Sequence, residues 1–277
     1  MPATACDRLT PRELRRLREI VRRLSGIDLP PHKEPLVRAR LRKRLRELGL
    51  SDFGGYLRLL SGSGAGAERQ LLIEALATRL TGFYREPDHF RFLSEEAVAE
   101  WCARGGPTRL RLWSAGCATG EEAYSLALAL HTALPRPQRW DLRILATDLS
   151  TRALVAGRRG VYAAEQLAGL PDSLRGSYFR PLAGDPPAAW RVAPELRRLV
   201  SFARLNLIEP WPMRGPFEAI FCRNVMIYFD PPTQRGLVQR FGALLRPGGL
   251  LFLGHSESLT GGLSGFRFVR PSVYRRS

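Results

Sequence analysis

Two features are scarce in this sequence of 277 residues: lysine and long apolar runs. Lysine occurs only at Lys33 and Lys43, so 41 of the 43 basic residues are arginine, and the formal net charge is +17. This charge favours acidic partners, whether nucleic acid, anionic membrane or acidic protein. No apolar stretch approaches the ~20 residues of a membrane span, and the arginine-rich N-terminus lacks the apolar core of a signal peptide. We therefore expect a cytoplasmic protein that is not inserted in a membrane.

Paired metal-ligand motifs are missing as well. The four cysteines form no C-x-x-C pair and lie far apart: Cys6, Cys102, Cys117 and Cys222. Zinc and redox motifs are thus unsupported, and we expect free thiols in a reducing compartment. His255 and Glu257 stand two residues apart after a predicted strand, with no third ligand evident nearby. Since a metal site needs at least three protein ligands, we predict none.

Helical signals fill the first part of the chain. Residues 10–13 read Thr-Pro-Arg-Glu, a capping box with proline at the first helical position. Leucine and valine follow at helical spacing until Gly26. Further helices are predicted from Glu34 to Leu48 and from Glu68 to Leu80. We therefore predict a small all-α N-terminal domain over residues 1–80, followed by a linker over residues 81–108.

After residue 108 strands alternate with helices. The clearest predicted strands are residues 109–114, 142–147, 218–223 and 250–254. Such alternation is typical of an α/β domain with a mostly parallel sheet and helices on both faces. Residues 175–204 break the alternation, because prolines separate short apolar runs there. This stretch is predicted to be an inserted, hairpin-like element within a domain that spans residues 109–277.

The carboxyl ends of the predicted strands carry the candidate site. Ligands of open α/β sheets bind at that edge, where the sequence places the Gly116–Glu122 loop, Asp148, Arg223-Asn224 and the turn over residues 254–257. Glycines allow a ligand to approach the backbone at the start of a helix. An acidic residue that ends the next strand, as Asp148 does, suits ribose hydroxyls. Together these features indicate a cofactor that contains a nucleoside.

The loop after the first strand narrows the choice of cofactor. It reads Gly-Cys-Ala-Thr-Gly rather than the G-x-G-x-x-G of dinucleotide sites. Glu121 and Glu122 follow it, and they would repel a pyrophosphate but suit an amino group or a sulfonium. S-adenosyl-L-methionine carries both positive groups and no phosphate. Taken alone, the loop is also compatible with a plain strand-to-helix turn.

Six segments carry the most distinctive motifs: Thr81–Glu86, Trp113–Ser125, Ala146–Asp148, Leu205–Leu207, Phe221–Phe229 and Gly254–Glu257. In order and spacing they resemble the chemotaxis receptor protein-glutamate O-methyltransferase family (CheR), from about residue 10 to the C-terminus. The C-R-N-V-M-I-Y-F run with G-H-S-E is long and specific.

The resemblance implies both a fold and an activity. Family members transfer a methyl group from S-adenosyl-L-methionine to glutamate side chains on the cytoplasmic helices of chemoreceptors, which leaves S-adenosyl-L-homocysteine and a glutamate methyl ester. A helical N-terminal domain precedes a Rossmann-like methyltransferase domain with a small antiparallel β-subdomain, which residues 175–204 resemble. Whether this subdomain tethers to a receptor C-terminal pentapeptide stays open.

The resemblance also implies site residues. Those expected to line the cofactor are Arg79, Thr81, Arg85, Gly116, Glu122, Asp148, Asn206, Leu207, Arg223 and Asn224. Arg85 and Tyr228 are expected nearest the transferred methyl group, as the catalytic residues. Arg79 departs from the family pattern, which often has asparagine there. Arg38, Arg40 and Arg44 on the second helix form the expected receptor-binding face, although a merely solvated basic face is the alternative.

Rival functions remain at this stage. A methyltransferase of the same fold acting on nucleic acid would use the positive charge, but no aromatic-interleaved basic groove or nucleic-acid-binding motif is visible. A signalling module that binds the cofactor without turnover would not need Arg85, Asp148, Asn224 and Tyr228. A nicotinamide-dependent oxidoreductase is the least favoured class, because this sequence lacks the dinucleotide-binding loop. We therefore expect a monomeric enzyme whose partner is the chemoreceptor cytoplasmic domain and not nucleic acid.

Overall fold

A computed structural model describes residues 9–77, 80–104, 109–184, 188–259 and 265–277. The chain divides into two compact units. The helical unit comprises Met1–Thr78 together with Tyr228–Gln234, and the sheet unit comprises Arg79–Ile227 together with Arg235–Ser277. The contiguous N-terminal range predicted from sequence therefore misses a second segment, seven residues that begin at Tyr228.

From Leu9 to Ala77, the part of the N-terminal region that the structure describes, the helical unit is built from α1 (Pro11–Ser25), α2 (Glu34–Glu47), α3 (Phe53–Ser61) and α4 (Gly66–Leu76). The predicted capping box is present, because Thr10 accepts from the backbone of Glu13 and Glu13 binds back to Thr10. Gly26 ends α1 in the left-handed conformation with φ of 75°, which glycine adopts without strain. The third predicted helix is displaced by about one turn, because α4 ends at Leu76 and Ala77 is extended.

Buried leucines and an ion pair hold these helices together. α1 packs against α3 and α4, and α2 packs against α4. Leu17 and Leu41 are 1 % and 0 % exposed, in line with the helical spacing that predicts them inside. Beside them, the carboxylate of Glu68 accepts from Arg44 Nε at 2.8 Å, from Arg44 Nη2 at 2.6 Å and from Tyr56 Oη at 2.8 Å.

The described residues of the sheet unit form ten strands: β1 (Arg109–Ala115), β2 (Asp141–Asp148), β3 (Val161–Ala163), β4 (Phe179–Pro181), β5 (Ala189–Val192), β6 (Val200–Arg204), β7 (Phe217–Cys222), β8 (Leu245–Leu253), β9 (Phe266–Arg270) and β10 (Val273–Arg276). Seven of them form one sheet in the order β6-β2-β1-β7-β8-β10-β9. The first five are mutually parallel, and β10 pairs antiparallel with β8 and β9. This confirms the predicted α/β domain with a mostly parallel sheet.

Helices connect these strands: α5 (Pro87–Phe92), α6 (Val98–Ala103), α7 (Glu121–Ala133), α8 (Thr151–Arg159), α9 (Asp172–Tyr178), α10 (Pro194–Arg197) and α11 (Pro231–Leu244), whose first turn belongs to the helical unit. A π-helical turn over Leu93–Ala97 joins α5 to α6. Short 3₁₀ turns occupy Pro31–Lys33, Pro137–Arg139, Ala164–Leu167 and Met226–Tyr228. Among the described residues, no helix combines the length and the apolar character needed to cross a membrane.

The inserted β-element is real, but its predicted bounds of 175–204 are wrong. The small sheet has the order β3-β5-β4 and therefore begins at Val161. Val200–Arg204 belongs instead to the main sheet, where Ile144 pairs with Val200. A strand of three to five residues carries no periodic signal of its own, so its neighbour in space decides which sheet it joins.

The C-terminal end of the sheet contains a register shift and a hairpin. The Pro247-Gly248-Gly249 run lies within β8, where the pairing register with β7 shifts. β9 and β10 form the hairpin, in which Ser272 turns the chain with φ of 61°.

Apolar strands bury the centre of the sheet. Phe221 of β7 and Phe252 of β8 stack with ring centroids 4.0 Å apart, and both are fully buried.

Cys117 and Cys222 are buried free thiols, and burial raises the pKa of both well above the ordinary value, which leaves them unreactive. Cys102 is half-buried and free, whereas Cys6 lies outside the described residues.

Candidate active site

The carboxyl ends of five parallel strands meet at one edge of the sheet. Gly116 follows β1, Asp148 ends β2, Asn206 lies two residues after β6, Arg223 follows β7 and Gly254 follows β8. Because the chain continues from β1 to β2 on one side and reaches β7 on the other, the sheet order reverses between β1 and β7. Ligands of open α/β sheets bind at such a reversal, and the candidate site lies there.

The loop after β1 approaches its neighbours closely. Gly116 has φ of +93°, and a Cβ atom at this position would lie 2.4 Å from Cγ2 of Val225. The backbone N–H groups of Gly116 and Cys117 donate to the carbonyl of Thr147 at 2.8 and 2.9 Å. The conformation and the lack of space both require glycine, so the loop forms a backbone cradle at the edge of the sheet.

Asp148 fastens this loop to the next element. Its Oδ2 accepts from the backbone N–H of Ala118 at 2.9 Å, and its Oδ1 accepts from that of Ser150 at 2.8 Å. Ser150 in turn caps α8 by accepting from Ala153 N. Leu205 N donates to the carbonyl of Asp148 at 3.1 Å, which brings the Asn206-Leu207 turn to the same edge.

Arg223 is the charged centre of the site. Its side chain is 2 % exposed, and its Nη2 lies 3.0 Å from Oε2 of Glu86. Its Nη1 lies 3.5 Å from Oε2 of Glu122, and its Nη2 also donates to the carbonyl of Arg85. The guanidinium carbon lies 5.4 Å from the ring centre of Phe90. One buried cation therefore joins two carboxylates from distant parts of the sequence.

The two carboxylates respond differently to this environment. Burial raises the pKa of Glu122 above its ordinary value, although Arg223 and a 2.6 Å hydrogen bond from Ser114 Oγ oppose that shift. Burial also tends to raise the pKa of Glu86. The charge of Arg223 and the hydrogen bonds donated by His255 N and Asn224 Nδ2 outweigh that effect and bring this pKa below the ordinary value. Glu86 is thus held ionised, whereas Glu122 resists ionisation.

Glu257 holds the loop that carries Asn224. Its Oε2 accepts from the backbone N–H groups of Gly254 at 2.6 Å and Asn224 at 2.8 Å, and its Oε1 accepts from that of Ile227 at 3.1 Å. Asn224 itself has φ of +57°, a strained conformation for a side-chain-bearing residue. A buried carboxylate that binds three N–H groups fixes this strained turn.

The other predicted cofactor residues have varied surroundings. Asn206 is 4 % exposed and forms a turn, in which its Nδ2 donates to Glu209 at 2.9 Å and its Oδ1 accepts from Ile208 N at 3.4 Å. Leu207 is buried beside it. Thr81 is half-buried, and Arg85 Nη1 donates to the carbonyl of Leu80 at 2.7 Å.

Two predicted residues fall outside this description. Arg79 lies outside the described residues. Tyr228 belongs to the helical unit, where its carbonyl accepts from the backbone of Asp28 at 2.7 Å. Its catalytic role stays a prediction.

The predicted receptor-binding arginines all have partners within the helical unit. Arg44 binds Glu68 and Glu47, and Arg40 Nη1 donates to the carbonyl of Leu76 at 2.6 Å. Arg38 Nε lies 3.7 Å from Glu34, and its side chain is 37 % exposed. Arg40 and Arg44 therefore contribute to packing of the unit, and the side chain of Arg38 is more exposed than that of Arg44, at 37 % against 21 %.

Sequence reasoning missed three residues that organise the site. Glu86 and Glu257 stand in two of the quoted motifs, yet only the fold shows that they bind Arg223 and the backbone of Asn224. His89 is 1 % exposed and lies beside Glu86. The sequence signal for Glu86 is its place directly after Arg85 in a quoted motif. The structure adds that Glu86 has φ of +58°, which at a non-glycine residue marks a constrained turn.

A parallel sheet with a glycine cradle after β1 and an acidic residue at the end of β2 defines the class of Rossmann-like, nucleoside-binding enzymes. The loop after β1 lacks the G-x-G-x-x-G pattern, and the largely buried Glu122 lies at the start of α7. These features favour the methyltransferases of that class over the dinucleotide enzymes.

Comparison with known families identifies the particular group. Residues 12–77 match the family described as CheR methyltransferase, all-alpha domain, and residues 79–274 match CheR methyltransferase, SAM binding domain. The chain belongs to the CheR methyltransferase family. Its cofactor is S-adenosylmethionine, and the predicted helical domain followed by a methyltransferase domain is confirmed.

Curated relatives support the same assignment over nearly the whole chain. The chain is 42 % identical to the chemotaxis protein methyltransferase of Salmonella typhimurium over 271 residues, which is 97 % of this chain and 91 % of the relative. It is 43 % identical to chemotaxis protein methyltransferase 2 of Pseudomonas aeruginosa, over 96 % of this chain and 93 % of the relative. The chain is therefore a methyltransferase of the chemotaxis type.

Proposed function

We propose that this protein transfers a methyl group from S-adenosylmethionine to glutamate side chains on the cytoplasmic helices of chemoreceptors. The product is a glutamate methyl ester, and S-adenosylhomocysteine is released. The observation that carries the proposal is the carboxylate of Glu122, largely buried at the start of α7 and held by Ser114 and Arg223. Glu122 stands two residues after the Gly116–Gly120 loop, and its carboxylate favours a cationic cofactor over a phosphate.

The donor set fits S-adenosylmethionine. A glycine backbone at Gly116 leaves space that a side chain would fill, and the carboxylate of Asp148 at the end of β2 offers acceptors of the kind that ribose hydroxyls need. Glu122 would face the ammonium group, because opposite charges attract strongly where water is scarce. Thr81, Asn206, Leu207 and the Arg223-Asn224 pair complete the proposed cofactor residues.

The residues of the chain position the reactants rather than move protons. Bound S-adenosylmethionine supplies an electrophilic methyl group on a sulfonium. A substrate glutamate is already ionised at neutral pH and already a nucleophile, so no strong base is required. The enzyme must bring the carboxylate into line with the methyl group. It must also exclude water, because water stabilises the opposite charges of the carboxylate and the sulfonium, which methyl transfer neutralises. Arg85 suits this positioning role. One of its N–H groups donates to the carbonyl of Leu80, and its other N–H groups can orient a carboxylate.

The first experiment measures methyl transfer from radiolabelled S-adenosylmethionine to a chemoreceptor cytoplasmic fragment from the same organism. Label that mild base releases as methanol is expected, since carboxyl methyl esters hydrolyse in base. Asp148→Asn should abolish transfer by weakening the cofactor site. Asp141→Asn, at the other end of β2 and half exposed, is the matched control and should retain it. Label that stays on the protein in base would refute glutamate methylation.

A second experiment tests the catalytic residues. Arg85→Ala and Tyr228→Phe are expected to lower the single-turnover rate about 10²-fold or more, as loss of a positioning contact does, while calorimetric affinity for S-adenosylmethionine changes little. Equal losses in rate and affinity would show that these residues only hold the cofactor.

A third experiment tests recognition of the acidic receptor helix by α2. Arg38→Glu is the informative reversal, because the side chain of Arg38 is 37 % exposed and its Nε lies 3.7 Å from Glu34. It should raise the KM for receptor several-fold at low salt and leave affinity for S-adenosylmethionine unchanged. Lys43→Glu, 78 % exposed on the same helix, measures the effect of charge alone. Reversal of Arg40 or Arg44 would instead disturb packing.

A further inference from the structure

Three potential metal ligands converge beside Arg223, although they are far apart in sequence. The ligand atoms of Glu86, His89 and His255 all lie within 4.8 Å of one another. Oε2 of Glu86 lies 3.6 Å from Nδ1 of His89 and 3.9 Å from Nε2 of His255. Two ligands come from the turn and helix before β1, and the third comes from the turn after β8. Sequence spacing gave His255 no third ligand, but the fold gives it two.

His89 provides an independent sign that the cluster has a ligand. Its side chain is 1 % exposed. Among the described residues, neither ring nitrogen of His89 has a hydrogen-bond partner. Leaving a buried polar group unpaired is unfavourable, so such groups in folded proteins usually bind something. The edge of the His89 ring that carries Nδ1 lies towards Glu86. The rings of His89 and His255 meet edge to face, with centroids 5.1 Å apart.

We propose that Glu86, His89 and His255 form a binding site for one divalent transition-metal ion, and that this ion is Zn²⁺. Two imidazole nitrogens and one carboxylate oxygen are a donor set that zinc accepts, with a water molecule in the fourth position. Ligand atoms around tetrahedral zinc are separated by about 3.3 Å, given bond lengths of about 2.0–2.1 Å. The two spacings from Glu86 therefore need to contract by about 0.3 and 0.6 Å, and the spacing between the two histidines by up to about 1.5 Å. His255 is half exposed, which gives the ion a route of entry.

The surrounding charges suit a cation despite the proximity of Arg223. That guanidinium is shared between Glu86 and Glu122, so one positive charge faces two carboxylates. Its hydrogen bonds to Glu86 fix the orientation of the carboxylate, as outer-shell partners of metal ligands do. A bound ion would fasten the segment that carries Glu86 and His89 to the turn after β8. This role is separate from methyl transfer and does not rest on it.

Calorimetry of the full-length protein with Zn²⁺ alone tests the proposal after treatment with a chelator. The wild type is expected to bind one ion per chain. His255→Gln removes an exposed ligand without opening the core and should weaken binding at least about tenfold. His131→Gln is the matched control, since His131 is a half-buried histidine that lies near Tyr178 and away from the cluster. Its affinity should equal that of the wild type.

Spectroscopy with Co²⁺ alone identifies the ligands. A d–d absorption band of four-coordinate intensity is expected with the wild type and with His131→Gln, and its loss with His255→Gln. His89→Gln should also lose the band, with folding checked by circular dichroism. Absence of stoichiometric Zn²⁺ binding in the wild type, or equal binding by the wild type and His255→Gln, would overturn the proposal. Methyl transfer enters neither measurement, so failure of the proposed function would leave these outcomes unaffected.

Discussion

Each unit of this protein contains an arginine paired with buried carboxylates, and the two arrangements differ in a way that separates stability from function. In the helical unit, Arg44 binds Glu68 through two nitrogens and Tyr56 completes the same carboxylate. In the sheet unit, Arg223 divides its donors between Glu86 and Glu122. In the first arrangement only Glu68 is buried, since Glu47, the other printed partner of Arg44, is 45 % exposed, whereas in the second one cation faces two largely buried carboxylates.

Backbone strain follows the same division. Four non-glycine residues with positive φ lie in the loops around Arg223: Tyr84, Glu86, Ala118 and Asn224. Among the described residues of the helical unit, only glycines adopt such angles. Left-handed conformations cost about 1–3 kcal/mol each for other residues and cluster at functional sites. Strain and a second buried carboxylate together therefore mark the arginine that serves a site, whereas the arginine that serves packing has neither.

The largest expected effect comes from removing each arginine. Arg223→Met leaves two largely buried carboxylates without their cation and should destabilise the sheet unit by about 3–5 kcal/mol. Arg44→Met should cost less, about 1.5–3 kcal/mol, because its side chain is 21 % exposed. All five tryptophans lie in the sheet unit. Tryptophan fluorescence during urea unfolding therefore reports on Arg223, and circular dichroism reports on both units.

The same pair of variants separates the two roles by calorimetry. Arg223→Met should lose measurable affinity for S-adenosylmethionine, and Arg44→Met should keep wild-type affinity under conditions in which it is folded. If both variants lost the cofactor to the same extent, the distinction between the two arginines would be wrong.

Glycine substitution sharpens the comparison at the level of the backbone. Gly116→Ala meets both a φ of +93° and a Cβ only 2.4 Å from Val225, so we expect a loss of about 3 kcal/mol from strain and overpacking. Gly49→Ala in the helical unit has φ of +65° and nothing within 4 Å. It should cost about 1 kcal/mol from conformation alone. Urea unfolding curves of the two variants measure the difference.

A double variant isolates the steric part of this effect. Gly116→Ala with Val225→Ala removes the close contact but keeps the unfavourable φ, and should recover roughly half of the lost stability. No recovery would mean that conformation alone requires glycine at residue 116.

Much of this architecture could be predicted because local patterns determine where strands end. Gly116, Asp148 and Arg223 each stand directly at the end of an apolar strand, and parallel strands align those ends at one edge. The capping box at Thr10 and the stop at Gly26 are likewise local signals. Residues that owe their place to the end of a strand or a helix were therefore located correctly.

Partners set by distant contacts could not be predicted. Glu86 precedes Arg223 by 137 residues, and no periodicity joins them. The same limit explains why Val200–Arg204 was assigned to the wrong sheet, since only pairing with β2 decides its place. It also explains why the internal partners of Arg40 and Arg44 were missed on a helix that looked merely basic.

A smaller effect is expected at Glu257, which fixes the strained turn of Asn224. Glu257→Gln replaces one acceptor oxygen by a donor and leaves one of three N–H groups unpaired, which costs about 1–2 kcal/mol. Calorimetry should show a several-fold loss of affinity for S-adenosylmethionine. Glu218→Gln is the control near the opposite end of β7, because its acceptor bond to Arg111 N can pass to the amide oxygen. Equal effects of the two variants would exclude a positioning role for Glu257.

The smallest expected effect is a dependence of cofactor affinity on pH. Burial raises the pKa of Glu122 above the ordinary 4.5, against the opposing influence of Arg223 and Ser114. Affinity for S-adenosylmethionine should therefore be constant at high pH. It should fall as acidification protonates Glu122, at a pH above that of an ordinary glutamate. A loss of up to about tenfold corresponds to about 1.4 kcal/mol.

Two neighbouring variants assign this pH dependence to one carboxylate. Glu122→Gln cannot titrate, so its affinity should be lower at high pH and flat across the range. Glu121→Gln keeps Glu122 intact and should retain the wild-type profile, even though burial also raises the pKa of Glu121, because that carboxylate is bound by Thr119 and Gln166 instead. Calorimetric titration of each variant between pH 5 and pH 8 measures the profiles. A profile that persists in Glu122→Gln and disappears in Glu121→Gln would move the cationic subsite to the other glutamate, and with it the observation on which the choice of cofactor chemistry rests.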